Sequence, residues 1–161
     1  MAKPITELTK DIRKLVEDGR AAAGPKIIFS LQEAGPWWTG NFGEEWKLGA
    51  QPIKPTVKRK KDWTELPSGK KPPRPNFSLQ PVLKVPIDSP LYIGNAAEYA
   101  GYAVNDPGAK IDGKTYGEDR PPKITTAFPA GVRWYEVYTI TNRDTGLFLD
   151  LDKAFASVRL G

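Results

Sequence analysis

Ile5, Leu8, Ile12, Leu15 and Val16 recur at spacings of three, four, three and one, while Lys10, Arg13, Lys14, Glu17 and Asp18 fall largely elsewhere. That spacing gathers the apolar set on one helical face and predicts an amphipathic helix over 5–16 with one buried stripe. Residues 21–23 extend it to Gly24-Pro25, where an end or a kink is expected, because proline lacks an amide donor and disfavours helical geometry at the preceding residue. A second helical piece, with Pro25 in its first turn, carries Ile27, Ile28 and Leu31 to a stop at Gly35-Pro36.

The period then changes. Trp46, Leu48 and Ala50 alternate with other residues as on a half-buried strand. Residues 51–76 hold six prolines and a basic cluster and read as a long arm in which neither strand nor helix can run continuously. Phe77, Leu79, Leu83, Val85 and Ile87 share a period-two face, interrupted by Pro81 and Pro86, and predict an edge strand or two short strands. Residues 89–108 read as a short apolar strand, a turn at Gly94-Asn95, a small-residue segment over 96–103 and a loop. Residues 109–131 are polar and rich in glycine and proline. Over 133–140, RWYEVYTI reads as a strand with Trp134, Tyr138 and Ile140 on one side. After a turn at 142–146, Leu147, Leu151, Ala154, Phe155 and Val158 recur at helical spacing. The expected fold class is α+β: a kinked N-terminal helix on a small antiparallel sheet, long loops and a short C-terminal helix. No internal repeat is visible, and the 161 residues are expected to form a single domain, 1–161, with the arm at 51–76 as its excursion.

Composition narrows the chemistry. The chain has no cysteine and no histidine, which removes disulfides, thiolate metal sites, Ser-His-Asp and Cys-His systems and the commonest neutral-pH acid/base. The acid pairs Glu44-Glu45, Glu118-Asp119 and Asp150/Asp152 are the candidates left for carboxylate chemistry. None has a metal-ligand spacing, and each reads as solvated surface charge. Gly108, Gly113, Lys114 and Thr115 match a phosphate loop in letters. A working loop follows a buried strand and opens a helix, and Gly117 with Pro121-Pro122 prevents that helix. No enzyme activity, catalytic residue, metal or cofactor is expected. No stretch reaches the roughly 18 apolar residues of a membrane span, and the N-terminus lacks a signal-peptide core, so a soluble chain made in the cytoplasm is expected.

The net charge of +5 is local: residues 54–74 hold eight basic side chains against Asp62 and Glu65. Lys58, Arg59, Lys60 and Lys61 beside Trp63 suit contact with nucleic-acid phosphate or with an acidic protein surface. A small nucleic-acid-binding module using 54–74 is therefore the alternative functional reading.

The segment PWWTGNFGEEW, 36–46, concentrates three tryptophans and a phenylalanine among glycines. Phe42 and Trp46 read as core. Trp37 and Trp38 are adjacent and cannot easily both point inward, so one of them is a candidate contact residue. A long helix running into AGPWWTGNFGEEWKL, followed by LYIGNAAEYAGYAVNDPG, resembles the tailed-phage neck and tail-completion (head-tail joining) proteins, the group related to the lambda minor tail protein Z. Pro36, Thr39, Gly40, Phe42 and Trp46 occupy its first signature. Asn95 and Tyr99, within Gly94-Asn95-Ala96-Ala97-Glu98-Tyr99-Ala100, occupy its second. Trp38 stands where the group has aspartate, and the C-terminal third carries no signature. The resemblance implies a structural virion protein assembled in the host cytoplasm. It implies a homo-oligomeric ring, with six copies expected, that joins the tail terminator or tail tube to the connector. DNA passes through such a ring without sequence recognition.

Overall fold

The computed structural model describes residues 4–35, 41–58, 74–104, 110–111, 114–115, 134–140 and 144–158. The architecture is α+β: a long N-terminal helix, a small antiparallel sheet, and short helices that close over them.

Helix α1 spans Ile5–Ala34 without interruption and contains Pro25. The helix therefore does not end at Gly24-Pro25. Proline in a helix interior costs about 3 kcal/mol, but here Ala23, Ile27, Ile28 and Leu31 on both sides of it are buried in the core. Burying each large aliphatic side chain contributes roughly 1.5–3 kcal/mol, which outweighs the missing bond. The N-terminal stripe differs from expectation in the other direction. Ile5, Leu8 and Ile12 are 82%, 50% and 50% exposed, so only Leu15 and Val16 of the five are even half-buried.

Strand β1, Trp46–Gly49, pairs antiparallel with β2, Tyr92–Asn95, with Trp46 opposite Asn95 and Gly49 opposite Tyr92. Between β1 and β2 the expected period-two strand is replaced by helix α3, Gln80–Lys84, which has Pro81 in its first turn. Proline there is preorganised for a helix and removes a ladder donor from a strand. The buried side chain is Val82, which lies between the positions of the anticipated face, while Leu83 is 73% exposed. Gly94-Asn95 belongs to β2 rather than to a turn. The chain bends just after it, where the Ala97 amide donates to Asn95 Oδ1 at 3.0 Å, the Asx geometry that lets asparagine begin a turn.

Short helices α2, Asn41–Glu44, and α4, Ala100–Ala103, flank the sheet. Strands β3, Lys110–Ile111, and β4, Lys114–Thr115, pair antiparallel, Lys110 opposite Thr115 and Ile111 opposite Lys114. Lys114 and Thr115 thus lie in a strand, not at the head of a helix. The residues expected to form a strand at 133–140 instead form helix α5, Trp134–Thr139. Trp134 and Tyr138 are four apart and so share a face in either geometry. Ile140 discriminates: a strand would bury it with them, and it is 50% exposed.

Helix α6, Gly146–Ala156, is the anticipated terminal helix. It begins at Gly146, whose φ of +58° and whose closeness to the Tyr138 carbonyl both exclude a side chain. It packs antiparallel along α1, with Asp150 near Lys26 and the Phe155 ring in the space a Cβ on Gly19 would need. Asp152 is exposed as expected, whereas Asp150 is buried. It accepts a hydrogen bond from the Tyr138 hydroxyl at 2.9 Å and lies 4.0 Å from Lys26 Nζ, so three helices meet on one carboxylate.

Burial, then the Asp150 bond and charge, push the Tyr138 phenol well above its ordinary value of 10.0. A group whose folded pKa is raised stabilises fully below its unfolded pKa, and that stability drains as pH rises beyond it. Unfolding by urea should therefore become easier above pH ~10, the ordinary tyrosine value. Tyr138→Phe should lose roughly 1–3 kcal/mol at neutral pH and show a flatter alkaline decline. A variant as stable as the parent at pH 7 would contradict the bond's role.

Candidate functional site

The two segments that carry the resemblance lie far apart in sequence and meet in space. Asn95 Nδ2 donates to the Phe42 carbonyl at 2.7 Å, and the Ala96 amide donates to the Glu45 carbonyl at 2.8 Å. Trp46 and Asn95 are register partners. The Phe42 ring stands 5.6 Å from Trp46 at 81° and 6.3 Å from Tyr99 at 40°.

Trp134 completes this knot. Its ring lies 5.8 Å from Phe42 and 6.5 Å from Trp46, at 82° and 87°, and its Nε1 donates to the Ala103 carbonyl at 2.9 Å. Perpendicular rings set the positive edge of one against the negative face of the next, which is worth about 0.5–1.5 kcal/mol per pair beyond burial. Trp46 Nε1 is buried and has no hydrogen-bond partner among the described residues. Sequence reasoning placed Phe42 and Trp46 in the core, as observed, but read Trp134 as a strand residue and missed that it closes the knot. The i, i+4 spacing of Trp134 and Tyr138 was the available signal.

The two described ends of the basic arm are held to the fold. At its start, Ile53 lies over the sheet, in space that a Cβ on Gly94 would enter at 2.7 Å. Val57 then forms a parallel bridge to Ala97, its amide donating to Ala96 O at 2.7 Å and its carbonyl accepting from Glu98 at 2.9 Å. At its end, the Arg74 guanidinium sits 5.3 Å from the centre of the Phe29 ring, which meets Phe77 edge-on at 6.0 Å. Lys47 Nζ donates to the Asn76 carbonyl at 3.1 Å and lies 3.6 Å from Glu45. Lys54, Lys58 and Arg74 are exposed. Arg59, Lys60, Lys61 and Trp63 fall outside the described residues, as do Pro36, Trp37, Trp38, Thr39, Gly40 and the pair Glu118-Asp119.

Among the described residues no group of three or more acidic, histidine or cysteine side chains is placed to hold a metal ion, and no helix is long and apolar enough to cross a membrane. Glu44 and Glu45 are half-buried beside the knot rather than solvated, and Glu45 faces Lys47. The arrangement provides an aromatic junction, an exposed apolar helix start and exposed cations at both described ends of the basic segment.

Asn95→Ala strips the donor from the Phe42 carbonyl and the acceptor from the Ala97 amide, both in a buried setting. We expect a loss of roughly 1–3 kcal/mol, read as a lower urea midpoint with unchanged slope. Asn95→Asp keeps the acceptor but sets a buried carboxylate oxygen against the Phe42 carbonyl, and should lose at least as much as Asn95→Ala at neutral pH. Comparison with known protein families, with curated proteins and with solved structures finds no match to this chain.

Proposed function

We propose that the chain is a structural protein of a tailed-phage virion, a neck or tail-completion component that forms a ring joining tail to connector around the DNA channel. The supporting observation is the meeting of the two signature segments: Phe42 and Trp46 from one, Asn95 and Tyr99 from the other, locked by the 2.7 Å bond from Asn95 to the Phe42 carbonyl. Segments that share a resemblance for a common structural reason are expected to share a site.

The surfaces suit that role. A ring built from one repeated contact needs two unlike patches on each subunit, and a DNA channel tolerates positive charge without base recognition. The described cations of the arm, Lys54, Lys58 and Arg74, are exposed, and Arg74 is also seated on the Phe29 ring.

Mass photometry of the protein alone and mixed with purified tails tests the proposal. The expected outcome is a monomer or loose oligomer alone and a ring-sized increment on tails. Absence of any association with tails sinks it. The second reading, a nucleic-acid-binding module, draws on the same exposed cations. It predicts tight duplex or single-strand binding at physiological salt, with a steep salt slope that disappears when residues 58–61 become alanine. Weak binding, insensitive to those substitutions, removes it.

A further inference from the structure

Ile5, Leu8, Ile12 and Leu15 follow one another at spacings of three, four and three, the a and d positions of two successive heptads, with isoleucine at each a and leucine at each d. The same count continues to Gly19, Ala22 and Lys26, where α6 fills it: Phe155 lies in the space above Gly19, and Asp150 stands 4.0 Å from Lys26 Nζ. Helix α6 ends at Ala156. Past that end Leu15 is half-buried, Ile12 and Leu8 are 50% exposed, Ile5 is 82% exposed, and every residue over 4–10 is exposed. One seam is thus covered by a helix of its own chain over its C-terminal half and bare over its N-terminal half.

The repeat defines the surface that fits the bare half. A spacing of three, four and three sets each apolar side chain against a hole formed by four residues of a neighbouring helix crossing at about 20°, and α6 already packs on the continuation of this line. An irregular segment gains nothing from a seven-residue repeat. A second copy of α1 carries the identical row. Aligned in register, Ile5, Leu8, Ile12 and Leu15 each meet their own counterpart, no bare a or d position is polar, and isoleucine at a with leucine at d is the combination that favours two parallel strands.

We infer that two copies of the chain pair through residues 5–15 of α1 as a short, parallel, two-stranded coiled coil, and that the pairing stops where α6 takes up the seam. Two heptads are fewer than a free-standing coiled coil needs, but a free-standing peptide must also nucleate its helix. Here burial of Ile27, Ile28 and Leu31 already holds α1 as one helix, so that cost falls on folding rather than on pairing. Four aliphatic side chains from each copy still bury less than the roughly 1,200 Å² of a stable pairwise interface. The dimer is therefore weak, and concentration decides its population. A two-fold contact closes on itself and does not propagate, so it describes the chain outside any larger assembly and does not rest on the neck reading.

The absence of native cysteine permits a direct test. Chains carrying Leu8→Cys or Ile12→Cys on the seam, or Lys10→Cys on the opposite side of the helix, are treated with a short bismaleimide at the highest soluble concentration. Leu8→Cys and Ile12→Cys should each link to their own kind several-fold more than Lys10→Cys does. When differently tagged Leu8→Cys and Ile12→Cys chains are mixed, same-position products should exceed the mixed product several-fold. Adding Ile5→Asp to the Leu8→Cys chain should cut the linking several-fold, and sedimentation equilibrium should show a monomer–dimer equilibrium in the parent that Ile5→Asp shifts to monomer. An excess of mixed product means antiparallel pairing and overturns the inference. Equal linking from all three positions also overturns it, as does a parent that stays monomeric at every concentration while circular dichroism shows it folded. Binding to anionic vesicles that is lost in Leu8→Asp, without same-position linking, reassigns the stripe to a membrane surface and likewise overturns it. Same-position linking without tail association keeps this contact and removes the neck reading.

Discussion

The Trp134 indole is where the fold is tied together. It is 1% exposed, packs perpendicular to Phe42 and Trp46, hydrogen-bonds the Ala103 carbonyl, and lies over Gly35 at the end of α1. Five elements therefore converge on one side chain. A two-stranded sheet is marginal in water without such support, and here each strand of the larger sheet has only four residues. Truncating a buried aromatic of this size costs roughly 3–5 kcal/mol, a large part of the about 5–15 kcal/mol that stabilises a typical domain. The sheet persists because the knot beneath it does.

Helix α1 follows from the same constraint. Its C-terminal half is held by Ile27, Ile28 and Leu31 inside the core and by Gly35 under Trp134, so the helix is fixed at one end and carried outward at the other. That explains how Pro25 is accommodated: the residues on both sides of it are held in the core. It also explains why the first turns reach water. A helix of 30 residues is about 45 Å long, more than α6, with 11 residues, can cover.

What was legible in the sequence divides along physical lines. Helical periodicity located α6, and strand alternation located β1, because each pattern had one geometric solution. Phe42 and Trp46 were legible as core because flanking glycines left few other uses for them. The segment 133–140 was misread because Trp134 and Tyr138 fit two periods at once, and 77–87 because the residue the fold buries, Val82, lies off the alternating face. Asp150 was misread because a lone carboxylate in a sequence shows neither the tyrosine twelve residues earlier that donates to it nor the lysine of α1 nearby. The exposure of Ile5, Leu8 and Ile12 was not legible, since amphipathicity reports that a face is apolar but not what covers it. For the candidate site, the two signature segments were readable one by one, whereas their contact through Asn95 required the fold.

The described ends of the basic segment show how far the junction's influence reaches. A charged segment that binds a partner must give up chain entropy, and an arm free at one end gives up the most. Here the residues next to the cationic run are already ordered, Val57 by its bridge to Ala97 and Arg74 by its seat on Phe29. The described ends of the basic segment are thus both held to the fold. The anchors depend in turn on the knot: Ala96 and Ala97 are positioned by Asn95, and Asn95 by Phe42. The aromatic junction thus fixes position: it holds the base of the basic segment and the C-terminal end of α1 in one relation.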